Sequence, residues 1–392
     1  MKEPTPTVAP PLITRDFVLL FAAHFLFGLS FWPYVLLPVF LQTLGFDLFK
    51  VGVVIGTASL AGIVARPWVG GALDRIGRRR CLMIGGLLFL AANLSYLGIH
   101  SSGGEIYFVR LLHGLGMGVL MATFFTLAAD LSPATRRTEG IALFGISGHL
   151  SGSIGVLWGE QVIRLGGYAA LFISGALLAL LSLIMGLLID EPVRGAQGER
   201  SQDRFLEIAF RPALRLPLVA TVAFSFSMTS YMVFLKPYAL TVGIGSMTHF
   251  FIAYTLTAVA VRLIGSRWPD RFGLKWVLYP AMVSMAIGIL VLFFRPTLAG
   301  LAVGGMLAGV GHGFIFPILS SMILGREREE NRGGVMTLFT MLYDFGLFIG
   351  APLLGWVAQG GRYGAMFWVA ASVLTGSLFA FVIFDSTGGH SR

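Results

Sequence analysis

Twelve apolar runs, most of them long enough to cross a bilayer, follow one another along this chain with little between them. They fall at 15–42, 50–73, 81–99, 106–130, 138–162 and 168–189, then at 214–241, 246–268, 275–295, 297–324, 332–358 and 364–385. A crossing helix needs roughly 20 apolar residues, so twelve of them nearly use up the 392 available. No room remains for a large soluble domain. The charge supply agrees: 12% of residues are charged and 56% hydrophobic, against about 25% charged in soluble domains. With a mean hydropathy of +0.82, the solvent of this fold is largely lipid. The expected fold class is an all-α membrane protein, with twelve transmembrane helices in two pseudo-symmetric six-helix bundles.

The runs divide six and six around a polar stretch, Asp190 to Arg211, holding Gly195, Gly198, Ser201 and alternating charges. The expected division is an N-terminal bundle over 1–189, a cytoplasmic linker over 190–213 and a C-terminal bundle over 214–392. The halves repeat. A shift of 196 residues lays Arg66 on Arg262, Asp74 on Asp270, Arg75 on Arg271, Gly77 on Gly273 and Arg79 on Lys275. A shift of 195 lays Arg137 on Arg332, His149 on Asp344 and Ile154-Gly155 on Ile349-Gly350. Two similar bundles with a site between them form a transporter architecture, which a channel or membrane enzyme does not need.

The net charge of +9 invites a nucleic-acid reading, but the bases sit singly or in short clusters at the ends of apolar runs. That is a topology signal rather than a phosphate-tracking surface, so no nucleic-acid partner is expected. With the N-terminus inside, twenty of the 28 Lys and Arg fall on the inner side, six on the outer, and Arg66 and Arg262 lie within helices. Both termini are therefore expected in the cytoplasm. The start of the chain has no basic region followed by a small-residue cleavage site, so the first run reads as a helix and not as a signal peptide. The single cysteine, Cys81, rules out an internal disulfide.

Between the second and third runs stands Gly70-Gly71-Ala72-Leu73-Asp74-Arg75-Ile76-Gly77-Arg78-Arg79-Arg80. Gly77 permits a tight turn, the basic run anchors one face, and a carboxylate among arginines can make a charge-assisted lock. A topology anchor alone explains the arginines but not Asp74 or its repeat at Asp270. This loop resembles the signature loop of the major facilitator superfamily, G-x-L-A-D-R-x-G-R-[KR], with Gly70, Asp74, Arg75, Gly77, Arg78 and Arg79 matching. The second copy, around Asp270, Arg271 and Gly273, is degraded. Asp130 is a candidate partner for Arg78, and Asp74 is expected near the amino-terminal end of the eleventh helix, where the helix dipole favours a carboxylate.

Two further segments carry the resemblance. Arg110-Leu111-Leu112-His113-Gly114-Leu115-Gly116 resembles the family's R-x-x-Q-G-x-G, with His113 where Gln is commoner. The resemblance implies proton transfer at Arg110; an arginine snorkelling to the outer surface is the other reading. Gly148-His149-Leu150-Ser151-Gly152-Ser153-Ile154-Gly155 stands where exporters of the family carry G-x-x-x-G-P-x-x-G-G, but Ser153 replaces the proline and the final glycine pair is missing. Gly346 to Pro352 in the eleventh run echoes it more closely. Close helix packing by small residues accounts for both segments.

Polar groups deep in the spans are costly in hydrocarbon and usually face a cavity. Of the 19 acids, Asp344 alone falls near the middle of a run; Glu160 and Asp130 lie near run ends. It reads as the proton-coupling carboxylate, with His149 and Arg110 beside it, or as one end of a fixed salt bridge to an arginine. His24, His149 and His312 are similarly deep, each either a satisfied interhelical hydrogen bond or a cavity group. Lys236 either attracts an anion or snorkels outward. The expected substrate-binding set is His24, Trp32, Tyr34, His113, Tyr231, Lys236 and His312, a mix compatible with an amphiphilic anion or zwitterion.

No C-x-x-C, H-E-x-x-H, Walker loop or serine elbow occurs, so neither metal, cofactor nor enzymatic activity is expected, and transport is driven by a gradient or is passive. The expected function is proton-coupled export of a small organic molecule by alternating access. Proton-coupled uptake or facilitated diffusion is the alternative within transport, and a non-transporting receptor or scaffold the alternative outside it. The expected partners are substrate, protons and the lipid bilayer, for a monomer in the plasma membrane, the inner membrane of a bacterium.

Overall fold

The computed structural model describes residues 11–133, 136–191, 211–327 and 332–384. The expected linker lies largely outside the described residues, as do Lys2, Arg194, Arg200, Arg204, Arg328 and Arg392 of the charge count. For Gly70, Asp74, Arg137 and Arg332 the description stops at the backbone.

The chain is all-helical among the described residues. Ten helices are long and apolar enough to cross a membrane, and an eleventh, Thr248–Ile264, is apolar but shorter. One of the ten, Arg137–Leu187, turns at Gly167, where φ is 69°; it therefore supplies two crossings, and the total is twelve. They are α1 (Arg15–Thr43), α2 (Leu48–Ile76), α3 (Arg78–Ser95), α4 (Glu105–Asp130), α5 (137–166) and α6 (168–187) in the first half. The second half holds α7 (Pro212–Thr241), α8 (Thr248–Ile264), α9 (Leu274–Phe294), α10 (Leu298–Gly325), α11 (Arg332–Ala358) and α12 (Tyr363–Phe384). At about 1.5 Å per residue, the 21 residues of α9 reach the thickness of a hydrocarbon core.

Side chains start several helices cleanly. The Asp47 carboxylate accepts from the Lys50 backbone N–H at 2.8 Å ahead of α2, and Thr297 Oγ1 accepts from Gly300 N–H at 3.0 Å ahead of α10. The repeat is visible in the irregularities as well. Helix α1 tightens into a 3-10 stretch at Trp32–Leu36 before Pro38, and α7 breaks after Met232 before Pro237, because proline cannot donate to the preceding turn.

The two halves pair their helices alike. In the first, α1 lies on α5, α2 on α4, and α3 on both α4 and α6; in the second, α7 lies on α11, α8 on α10, and α9 on both α10 and α12. Between the halves, α2 crosses α11 and α5 crosses α8. Large apolar side chains such as Trp68, Leu165, Trp276 and Phe384 stay exposed, the outward belt that lipid would cover. On α7, Thr221, Ser225 and Thr229 donate to carbonyls one turn back, and Ser227 donates to Ala370 O of α12 at 2.7 Å.

Candidate transport site between the halves

Helices α2 and α11 approach almost backbone to backbone. A Cβ at Gly52 would stand 2.1 Å from the Ala351 carbonyl oxygen, and one at Gly355 would stand 2.2 Å from the Leu48 carbonyl oxygen. That contact carries Arg66 of α2 to Asp344 of α11. Arg66 donates from Nε at 2.8 Å and Nη2 at 2.5 Å, both to Asp344 Oδ2. The Asp344 side chain is only 9% exposed and Arg66 26%, so water does little to screen the pair. Gly62 makes the room: a Cβ there would stand 3.2 Å from Asp344 Oδ2. Of the two readings of Asp344, the arginine partner is present, and it comes from the other half.

The symmetry-related interface, α5 against α8, brings the repeat partners Arg262 and His149 together, but the chemistry differs. Asp344 has His149 as its counterpart, and among the described residues no carboxylate pairs with Arg262. Arg262 instead lies within electrostatic range of His149, His312 and Tyr254, and its buried Nε has no hydrogen-bond partner. The His149 and His312 rings meet edge-on at 6.2 Å, and Tyr254 Oη is 2.5 Å from His312 Nδ1. Tyr231 lies tilted beside Tyr254, ring centroids 6.0 Å apart. His149 therefore neighbours His312 and Arg262 rather than Asp344.

On the face reached by the far ends of α1 and α7, the halves are tied by one carboxylate. Glu160 of α5 pairs with the Lys236 ammonium and accepts from Ser246 Oγ at 2.6 Å, Thr248 Oγ1 at 2.8 Å and the Met247 backbone N–H at 3.2 Å. Lys236 neither snorkels nor stands free: Glu160 and the Gly245 carbonyl hold it. Ser153 Oγ donates to Phe251 O at 2.7 Å, and Gln359 Nε2 to Asp47 Oδ1 at 3.3 Å, on the same side of the Arg66–Asp344 pair.

Comparison with known proteins decides the family. The Major Facilitator Superfamily model matches residues 19–253 and 218–392. The chain belongs to the Major Facilitator Superfamily. It is 24% identical over 348 residues to the staphylopine export protein of Staphylococcus aureus, covering 82% of this chain and 84% of that one. It is 23% identical over 333 residues to the quinolone resistance protein NorA of Staphylococcus aureus, covering 81% and 83%. The fold matches the crystal structure of the nucleoside transporter NupG with a TM-score of 0.76 at 16% identity, over 95% of this chain and all of that one. As a member of this superfamily it is an integral membrane transporter and not an enzyme.

The superfamily's signature loop turns at Gly77, where φ is 90°, and its degraded copy turns at Gly273, where φ is 94°. Both are conformations that residues with a Cβ avoid. Arg78 Nε donates to Asp130 Oδ2 at 3.0 Å, and Arg78 Nη1 to the Leu73 carbonyl at 3.0 Å, which ties the start of α3 to the ends of α2 and α4. Arg75 and Arg79 are exposed, as are Asp270 and Arg271 of the short helix Trp268–Phe272. Gly70 and Asp74 are described by their backbone alone, within α2.

The remaining candidates are placed within the first half of this major facilitator. Arg110 does not snorkel: it is 7% exposed and donates to Val54 O at 3.3 Å, Ile55 O at 3.1 Å and Tyr96 Oη at 3.2 Å. His24 Nδ1 meets Ser147 Oγ at 2.7 Å inside a ring of Phe27, Phe124 and Phe144. His113 Nδ1 faces Tyr96 Oη at 3.3 Å, and its buried Nε2 has no partner. Tyr34 donates to Asn93 Oδ1 at 2.8 Å. Trp32 lies over the glycine face of α5, so that a Cβ at Gly152 or Gly155 would touch it at 3.3 or 3.0 Å. Sequence reasoning did not single out Arg66, Tyr254 or Arg262 as site residues. The repeat of Arg66 on Arg262, both inside helices, was the signal that pointed to two of them.

Proposed function

We propose that this transporter exports a small organic molecule in exchange for protons, by alternating access. The observation carrying the reading is the Arg66–Asp344 pair, which spans the two halves at depth. A charge at mid-bilayer is expensive unless paired, so the pair favours the conformation in which α2 and α11 touch. Proton uptake by Asp344 removes its charge, releases the Arg66 guanidinium and lets the halves separate; proton loss restores the contact. Proton occupancy and conformation are thereby linked, which is what coupling to a proton gradient requires.

In this reading the two bundles, 1–189 and 214–392, move about the linker 190–213, with both termini in the cytoplasm of a bacterial cell and one chain as the working unit. The Glu160–Lys236 cluster closes the outer face, and the loop from Gly70 to Arg79, with Asp130, locks the inner one. His149, His312 and Tyr231 face substrate, whereas His24, His113 and Tyr34 serve packing because their bonds stay within the first half. Arg110, bonded to α2 carbonyls, positions α2 and through it Arg66. Export is supported by relatedness to an export protein and a quinolone resistance protein. Small-molecule contents of cells and medium, compared with and without this protein, test the direction. Solute accumulating inside cells that lack it supports export; solute accumulating inside only when it is present overturns export in favour of uptake.

A further inference from the structure

The two pseudo-equivalent interfaces differ by one charge. At α2/α11 the protein supplies both partners, Arg66 and Asp344. At α8/α5 it supplies the arginine, Arg262, and puts His149 where the acid stands in the other half. An arginine stays protonated in protein interiors, and a buried guanidinium with an unsatisfied N–H is costly. Among the described residues Arg262 has no carboxylate partner, and its Nε is both buried and unbonded. The buried Tyr231 side chain lies beside Tyr254 in the same cluster. The unbonded Arg262 Nε–H thus belongs to a polar cluster, with the Tyr254–His312 hydrogen bond beside it, that offers it no acceptor.

We infer that this cluster is the substrate site, and that the substrate is an organic monoanion whose carboxylate pairs with Arg262 as Asp344 pairs with Arg66. The surroundings describe the rest of the ligand. The His312 ring stacks on Phe316 at 6.4 Å and meets Phe224 edge-on at 5.5 Å, and Phe316 meets Tyr343 at 5.6 Å. A carboxylate on an apolar, preferably aromatic, body satisfies both parts: the acid neutralises Arg262, and the body packs against these rings. The symmetry gives the two arginines distinct tasks, Arg66 reading the internal acid that takes up the proton and Arg262 reading the external acid that is carried. This inference rests on the transport reading for its purpose, but the binding it describes needs neither a gradient nor a direction.

The test is equilibrium binding to the purified full chain in lipid nanodiscs, followed by thermal shift and by tyrosine and tryptophan fluorescence. The probes are benzoate and 2-naphthoate against their neutral amides. Both acids should protect the wild type in a saturable way and the amides should not. Arg262→Gln should weaken acid binding at least about tenfold, the loss of one charge-assisted contact, and Arg262→Lys should retain part of it. His149→Asp is the second variant: it installs the acid missing from this half, so it should pair with Arg262, keep or raise the melting temperature, and abolish protection by the acids. Equal protection by the amides, no protection by either acid, or acid binding unchanged in His149→Asp overturns the inference. None of these results touches the coupling role of Asp344, which is read from proton flux alone.

Discussion

Removing one member of the Arg66–Asp344 pair strands the other in a poorly hydrated place, and that asymmetry is measurable. Breaking a buried pair from one side costs about 3–5 kcal/mol, while removing both charges costs far less. Arg66→Gln is therefore expected to lower the melting temperature of the purified protein, and the double variant Arg66→Gln/Asp344→Asn to recover most of the loss. Equal destabilisation by single and double variants would mean the two side chains do not interact. His24 offers the contrast. Its bond to Ser147 lies within the first half, so Ser147→Ala should cost about 1 kcal/mol of stability and leave the transport rate near wild type. At this scale the sequence was informative about kind and silent about partner. Asp344 stood out because an acid is rare in an apolar run, but Arg66 is 278 residues away, and no local pattern joins them. Lys236 and Glu160 were each legible as polar residues near helix ends; that they neutralise one another across the interface depends on how α5 meets α7 and α8.

The helices themselves were readable almost to their ends, since hydropathy and length fix a crossing. The run at 275–295 became Leu274–Phe294 and the run at 50–73 became Leu48–Ile76. One departure is α8, where the run 246–268 ends at Ile264 because the chain turns through Gly265 before the short helix Trp268–Phe272. Less readable was which glycines permit contact between halves. Glycines in α5 drew notice for a family motif, and they receive α1; the tightest contact between the halves is at Gly52 and Gly355, which belong to no motif. Gly52→Val would place carbon against the Ala351 backbone, which cannot yield as a side chain does. It should separate α2 from α11, lower the melting temperature and slow transport. Unchanged transport would show that the two helices need not close. In the loop before α3, Asp74→Asn is expected to reduce transport strongly while abundance in the membrane stays near normal; unchanged kinetics would reduce that loop to a topology anchor.

For the whole molecule, the repeat is the deepest feature legible in the sequence, and it organises both interfaces. The offsets that lay Arg66 on Arg262 and His149 on Asp344 predict equivalent positions, and the helices pair identically in the two halves. The offsets could not say that one interface would close on an ion pair and the other stay cationic. The charge count predicts a sidedness that is testable directly. In a Cys81→Ser background, Ser201→Cys should label from the cytoplasm and Gly361→Cys from outside; labelling of position 201 from outside would invert the topology. Coupling is tested most directly by proton movement in proteoliposomes loaded with substrate, comparing wild type with Asp344→Asn. The variant lacks the titrating carboxylate, so it should exchange substrate without moving protons and fail to accumulate it against a pH gradient. Proton movement with substrate at the wild-type ratio in Asp344→Asn would contradict the assignment of coupling to this residue.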